Sequence, residues 1–550
     1  MKNPIRTLAL LFLFINFTHF LTAQTTEDDQ ENPRPKLVVG LVVDQMRWDY
    51  LYRYAEKYGN DGFKRLLREG LSCENTHINY FPSYTAVGHT SIYTGSVPAI
   101  HGIVGNDWYD RPSKKRIYCV LDNSESIIGT GQIKGNVSPR NLLTTTITDE
   151  LKLATNFKSK TIAIALKDRS SILPGGHTAD AAYMLDGSSG NFVSSSYYMK
   201  SLPSWVKDFN AKKMAATYIQ QNWSTVLPIA RYWESTGDDE LFERPYKGES
   251  KPVFTHNLKE LVKSTPGIIS ATPFGNNLTL DFAKAAIEAE LMGHGAATDF
   301  LAVSLSSTDY IGHQFGPNSI EAEDCYIRLD RELASFLKFL DDKVGEDNYL
   351  LFLTADHGAA HAADFAKSKK IPAGVLIPDS VKQEVNQALR AELGEGNWVE
   401  YFENMQVYLN HALIKEKGIS REKIYTIIKD DLMKWQSVAN VVDLDNLAAS
   451  NLQPDLKSIV ANGVNPKRCG DIQIIYQPAW LDDFPQGTTH GTVYPYDTHI
   501  PLLWYGWNVS QGKTFVPVNM TDIAPTLAAL LHIQEPNGSI GKVILPLLER

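Results

Sequence analysis

Seven consecutive residues with no polar side chain, Leu37-Val38-Val39-Gly40-Leu41-Val42-Val43, run straight into Asp44. The pattern returns twice. Phe300-Leu301-Ala302-Val303-Ser304-Leu305 precedes Asp309 and His313, and Tyr349-Leu350-Leu351-Phe352-Leu353-Thr354 precedes Asp356-His357. Unbroken apolar runs of this length suit strands covered on both faces, so they predict an α/β fold with a central, mostly parallel sheet flanked by helices. The carboxyl ends of such strands lie along one edge. Asp44, Asp309, His313, Asp356 and His357 would gather there, joined by the distant His490. Three carboxylates and three imidazoles make an oxygen and nitrogen donor set suited to two zinc ions. The expectation is a two-metal hydrolase.

The 550 residues suffice for a large core, and 43% hydrophobic with 21% charged residues is ordinary for a globular chain. A formal net charge of -10 argues against a nucleic acid as a specific partner. It does not argue against a small anionic substrate, because bound cations dominate the field inside their own cleft. At the N-terminus Lys2 and Arg6 precede an apolar stretch from about Leu8 to Leu21, closed by Thr22-Ala23-Gln24. This has the form of an export signal, residues 1–23, cleaved after Ala23 to leave no stable membrane anchor. Residues 24–36 read as a flexible lead-in and 37–550 as the catalytic domain. All four cysteines, Cys73, Cys119, Cys325 and Cys469, fall in the exported part, so two disulfides are expected, Cys73 with Cys119 and Cys325 with Cys469. No Cys-x-x-Cys spacing suggests a cysteine zinc site.

Further strands are expected at Thr161–Leu166, Ile472–Tyr476 and Ile500–Trp504, and a capped helix at Met520–Leu531 with Pro525 in its first turn. Two regions break the rhythm, about 187–257 and about 367–452. Ligand-bearing segments lie on either side of each, so both read as insertions forming walls or a cap over the sheet edge.

The segment Phe81-Pro82-Ser83-Tyr84-Thr85-Ala86-Val87-Gly88-His89 places Thr85 at the start of a helix. Asn106 follows His101-Gly102-Ile103-Val104-Gly105, and Lys167-Asp168-Arg169 follows the 161–166 run. The order Asp, Thr, Asn, Lys-x-Arg, Asp-x-x-x-His, Asp-His, His over nearly the whole mature chain resembles the alkaline phosphatase superfamily. Lys167 and Arg169 narrow the likeness to the PafA-type alkaline phosphatases, periplasmic phosphomonoesterases with a threonine nucleophile.

That resemblance implies roles. Thr85 would be the nucleophile, its phosphorylated form hydrolysed in a second step. One zinc would be held by Asp44, Asp356 and His357 and contact Thr85; the other, held by Asp309, His313 and His490, would face the leaving-group oxygen. Asn106, Lys167 and Arg169 would bind the substrate's phosphoryl oxygens. Lys167 and Arg169 are two apart, so an extended backbone would aim both the same way. Two cations favour a dianionic monoester over a monoanionic diester. A monomer acting on small-molecule phosphate monoesters is expected, in the periplasm by the same resemblance.

Thr85 alone could be no more than a helix cap, and Lys167 and Arg169 a solvated strand end. His499 competes with His490, and His361 with the chosen ligands; His77, His89, His101 and His177 are read as packing residues. The nearest rival activity is a phosphodiesterase or nucleotide pyrophosphatase of the same superfamily. A sulfatase lacks its Cys/Ser-x-Pro-x-Arg segment here, and a serine-nucleophile alkaline phosphatase its Asp-Ser-Ala. For that reason no third, magnesium-bearing site is expected. A non-catalytic zinc- or phosphate-binding protein is the rival from another class.

Overall fold

The computed structural model describes residues 34–129, 136–482 and 486–549; the proposed export signal and most of the lead-in lie outside them. Ten strands form one sheet in the order Gly512–Thr514, Leu71–Cys73, Leu502–Gly506, Tyr349–Thr354, Leu37–Val43, Asp299–Leu305, Thr161–Ala165, Ala181–Asp186, Asn191–Ser195 and Ile127–Ile128. Its five central strands, from Tyr349–Thr354 to Ala181–Asp186, are parallel. Leu502–Gly506 runs antiparallel beside them.

Every residue of Leu37–Val43, Asp299–Leu305 and Tyr349–Thr354 is buried, which is why none of these strands alternates polar with apolar. Each buried Leu, Val or Phe contributes about 1.5–3 kcal/mol, so the sheet centre is held chiefly by these three runs. Their register aligns Val43 with Leu305 and Val42 with Thr354, so the residues that follow emerge side by side.

The Thr85–Thr94 helix packs across this edge, all ten of its residues buried. Gly88 permits its close approach: a Cβ there would stand 2.3 Å from the carbonyl oxygen of Asp356. Gly95, in the left-handed region at φ 62°, ends the helix.

Three expectations are corrected. Ile472–Tyr476 is a strand but belongs to a separate four-stranded sheet with Val399–Glu403, Gln406–Leu409 and Val438–Asp443, so the 367–452 segment builds a sheet as well as helices. The predicted disulfides do not form: all four cysteines are free and buried. Cys73 ends a sheet strand, Cys325 lies in the Ile320–Lys343 helix, and Cys469 Sγ accepts the N–H of Asn465 at 3.3 Å. Burial pushes the Cys73 thiol up to about 12 and that of Cys469 to about 11, the behaviour of small apolar packing groups. Third, the extended geometry assumed for Lys167 and Arg169 is absent. The strand stops at Ala165 and Arg169 opens the Arg169–Gly175 helix behind Asp168. Among the described residues no helix is long and apolar enough to cross a membrane.

Candidate active site

Four parallel strands deliver the site. Asp44 follows its strand directly, Asp309 lies in the first turn of the Ser307–Phe315 helix behind the second, and Asp356-His357 trails the third. Lys167 sits two residues beyond the fourth. His490 arrives on a loop anchored when Ser83 N–H donates to the Gly491 carbonyl. Asp44, Asp309, Asp356, His357 and His490 are all buried, as is Thr85, while His313 opens partly toward solvent.

Ligand atoms of Asp44, Asp356 and His357 lie within 4.8 Å of one another, and so do those of Asp309, His357 and His490. The first group is the expected one. In the second, His357 stands where His313 was expected, although His313 Nε2 lies 3.2 Å from Asp309 Oδ1. The rings of His357 and His490 are stacked, centroids 3.4 Å apart, so His357 borders both groups.

Each imidazole is fixed the same way. Nδ1 of His357 donates to the Gly358 carbonyl at 2.9 Å, that of His313 to Thr488 at 2.8 Å, and that of His490 to Ser83 at 2.8 Å. A carbonyl can only accept, so Nδ1 carries the proton and Nε2 turns a lone pair into the site. His357 Nε2 faces Asp44 Oδ1 at 3.5 Å, Asp356 Oδ2 at 3.4 Å and Thr85 Oγ1 at 3.3 Å. Asp44 Oδ1 and Asp356 Oδ2 are buried with no hydrogen-bond partner among the described residues. Orphaned oxygens facing nitrogen lone pairs are costly unless a cation satisfies both, so the donor set fits divalent metal ions.

The electrostatics agree. Burial, then the charges of Asp309 and Asp356, drives the Asp44 carboxyl well above the usual carboxylate range. Burial acts on Asp309 too, but His313 and Lys167 outweigh it and hold that carboxyl well below its ordinary value. Lys167 Nζ bridges Asp44 Oδ2 at 2.7 Å and Asp309 Oδ2 at 2.5 Å, one from each group. Arg169 is half-buried, with its Nη1 donating to Tyr118 Oη at 3.4 Å.

Thr85 is the first residue of its helix, and the next N–H, from Ala86, donates to Asn106 Oδ1 at 3.0 Å. That donor is therefore engaged rather than free for an anion. The bond turns the carboxamide so that its NH2 points away from Ala86. Asn106 lines a cleft of about 540 Å³ with Tyr84, Arg116, Lys382 and Tyr401, the last two from the 367–452 segment. Residues of the 187–257 segment grip the helix that carries His313 and the loop that carries His490. Arg244 N–H donates to the Gln314 carbonyl at 2.9 Å, and the Phe242 carbonyl accepts from Gly487 N–H at 2.7 Å.

Sequence reasoning missed three supporting residues. Gln45 Nε2 donates to Asp309 Oδ1 at 2.8 Å while its N–H donates to Asp356 Oδ1 at 3.2 Å, tying the two groups together. His89 Nδ1 lies 2.9 Å from the Thr85 carbonyl and 3.2 Å from Asp356 Oδ2. Asp497 accepts from Thr492 N–H and Oγ1, and its carbonyl accepts from Gly358 N–H. Only Gln45, next to Asp44, carried a positional signal. His361 bonds Asn318 instead of joining the donors, and His499 stacks between Trp48 and His77.

A sheet of this topology with ligands at its carboxyl edge and a threonine opening the helix above them defines a hydrolase of the alkaline phosphatase superfamily. Residues 38–499 match the family Type I phosphodiesterase / nucleotide pyrophosphatase. Alkaline phosphatase PhoV of Synechococcus elongatus is 48% identical over all of both chains. A protein of Myroides odoratus named calcium-transporting ATPase is 50% identical over 94% of this chain and 95% of its own. The crystal structure of alkaline phosphatase PafA, 48% identical, superimposes with a TM-score of 0.92 over 94% of this chain and 99% of that one; a variant of it with a threonine, an asparagine, a lysine and an arginine replaced together is also solved. The chain belongs to the type I phosphodiesterase/nucleotide pyrophosphatase family, and within it to the PafA-type alkaline phosphatases.

Proposed function

We propose that this enzyme is an exported, zinc-dependent phosphate monoester hydrolase that works through a phosphothreonine intermediate on Thr85. The observation carrying the reading is Thr85 Oγ1, buried 3.3 Å from His357 Nε2 at the meeting point of both donor groups. Asp44, Asp356 and His357 would hold one cation; Asp309, His313 and His490 would hold the other. Bound there, divalent ions would lower the pKa of the threonine hydroxyl and offset charge on the entering and leaving oxygens.

The chain's own groups do the rest. Thr85 Oγ attacks phosphorus in line, the ester oxygen leaves, and water then attacks the phosphothreonine to release inorganic phosphate and restore the hydroxyl. Asn106 donates its NH2 to a phosphoryl oxygen, with Lys167 and Arg169 as the flanking cations. In the PafA variant the replaced threonine and asparagine are 21 positions apart and the lysine and arginine 2 apart. Thr85 and Asn106, and Lys167 and Arg169, keep those spacings.

The rival is diester cleavage, favoured by the family's description. Two cations, the buried Lys167 and the half-buried Arg169, favour the dianionic substrate instead. Export rests on the Lys2/Arg6 and Leu8–Leu21 pattern, and the periplasm on the family likeness.

The test is metal analysis with monoester, diester and sulfate turnover on wild type and Thr85→Ala. The expected result is two zinc ions per chain, monoester turnover several orders of magnitude above diester, and near-complete loss in Thr85→Ala. Equal mono- and diester rates, or full activity in Thr85→Ala, would overturn the reading.

A further inference from the structure

Tyr118 stands where two of the residues assigned to the phosphoryl group meet. It ends the Lys115–Tyr118 strand of a two-stranded hairpin whose other strand, Asp107–Asp110, begins directly after Asn106. The register sets Tyr118 opposite Asp107, and the next N–H, from Cys119, donates to the Asn106 carbonyl at 2.9 Å. The end of the hairpin thus holds the Asn106 backbone, and from the same end the Tyr118 side chain reaches Arg169.

The phenol oxygen has two partners there. It donates to Asp168 Oδ1 and accepts from Arg169 Nη1 at 3.4 Å. A carboxylate only accepts and a guanidinium only donates, so the two bonds use the phenol's one proton and one of its lone pairs, and their roles cannot be exchanged. Asp168 Oδ1 also accepts the Arg169 backbone N–H at 2.7 Å. Burial, then the charge of Asp168, holds the Tyr118 phenol well above its ordinary value, so it keeps its proton through the alkaline range. Nη1 is the guanidinium end that points away from the Nε–H. The opposite edge, Nε with Nη2, is the one that meets a phosphate with two parallel bonds. Arg169 Nε is buried with no hydrogen-bond partner among the described residues, a donor left for an acceptor the protein does not supply.

We propose that Tyr118 is a positioning residue for phosphoryl binding: by holding Nη1 it presents the Nε and Nη2 edge of Arg169 to two phosphoryl oxygens, and the hairpin it ends keeps that edge in register with Asn106. This rests on Arg169 binding the phosphoryl group, as in the proposed function. Tyr118 acts only through Arg169 and contributes no bond to the substrate.

The test is a double-mutant cycle in the full chain. Tyr118→Phe keeps the ring and deletes the hydroxyl. It should lower monoester kcat/KM by about ten-fold and weaken inhibition by inorganic phosphate by a similar factor, with diester turnover falling less. In an Arg169→Ala background the same substitution should change monoester kcat/KM by less than about two-fold. Equal losses with and without Arg169, or unchanged phosphate inhibition, would mean that Tyr118 only packs, and would overturn the positioning role. If Arg169→Ala lowers monoester turnover and Tyr118→Phe does not, this inference fails while the proposed function stands. If Arg169→Ala has no effect, the phosphoryl-binding role of Arg169 falls and this inference with it. Should Tyr118→Phe fail to fold, wild-type crystals soaked in inorganic phosphate decide. Phosphate on Nε and Nη2 with Nη1 still on Tyr118 supports the proposal, and phosphate on Nη1 or away from Arg169 overturns it.

Discussion

Lys167 and Asp44 are locked together at 2.7 Å, and the same ammonium reaches Asp309. Lys167 therefore touches both candidate donor groups while Arg169, two residues on, turns toward Tyr118. Burial lowers the Lys167 pKa, but Asp309 and Asp44 outweigh it, so the side chain stays charged at any working pH. Replacing both cations by alanine should lower monoester kcat/KM by roughly 10²–10³-fold or more, since one lost charge-assisted contact in a transition state costs about 2.7–4 kcal/mol. Diester turnover should fall less. Comparing kcat/KM on matched mono- and diesters checks this, and an unchanged monoester-to-diester ratio would remove the specificity role.

Asn106 allows a sharper comparison. Its Oδ1 is committed to Ala86 N–H, so only the NH2 can serve the substrate. Asn106→Ala deletes that donor and should lower kcat/KM by about 10²-fold. Asn106→Asp keeps an acceptor for Ala86 but aims a carboxylate oxygen at a dianion. It should therefore be the worse enzyme, by a further factor of about ten, reflecting like-charge repulsion. Steady-state kinetics on both variants would decide, and an aspartate equal to or better than alanine would mean that Asn106 only caps the helix.

The contrast between what the residues foretold and what they concealed has a physical basis. Strands buried on both faces must be apolar throughout, so Leu37–Val43, Asp299–Leu305 and Tyr349–Thr354 announced themselves, and their trailing Asp and His residues came with them. Gln45 and Asp497 carry no such pattern. Their importance lies in contacts to Asp309, Asp356 and Gly358 made across the fold. The Lys167-x-Arg169 spacing misled because Asp168 adopts helical backbone angles, φ -57° and ψ -48°, which ends the two-residue alternation. An even cysteine count misled because burial alone accounts for four thiols as well as two bridges do.

Asp497 joins the loops bearing His490 and His357. Its Oδ2 accepts from Thr492 N–H at 2.8 Å and Oγ1 at 2.6 Å, while its carbonyl takes the Gly358 N–H at 2.7 Å. The other carboxyl oxygen is buried and unpartnered. All the side chain's bonds thus need one acceptor, which an amide also supplies. Asp497→Asn should retain activity within a few-fold. Asp497→Ala leaves two donors unsatisfied, at about 1–3 kcal/mol each, and should lower kcat by ten-fold or more through misplaced histidines. Measuring kcat and zinc affinity together checks this, since a purely structural role would lower Tm and leave zinc affinity unmoved.

His101 should make the fold acid-labile. It is fully buried, its Nδ1 accepting from Ile103 N–H at 3.1 Å and its Nε2 lying 3.1 Å from Ser91 Oγ. Burial, followed by the charge of Arg468, drops its pKa from 6.5 to about 3. Between those values the unfolded chain binds a proton that the folded chain refuses. Stability tied to this group is therefore complete above pH 6.5, falls as pH drops toward 3, and levels off below. The whole swing is on the order of 5 kcal/mol. Urea midpoints from pH 7 to 4, taken with chelator present so that metal release adds nothing, should fall steeply for wild type. His101→Gln should start from a lower midpoint and fall with a slope smaller by up to one proton. Equal slopes would mean that His101 takes up its proton in the folded state and that another group sets the acid limit.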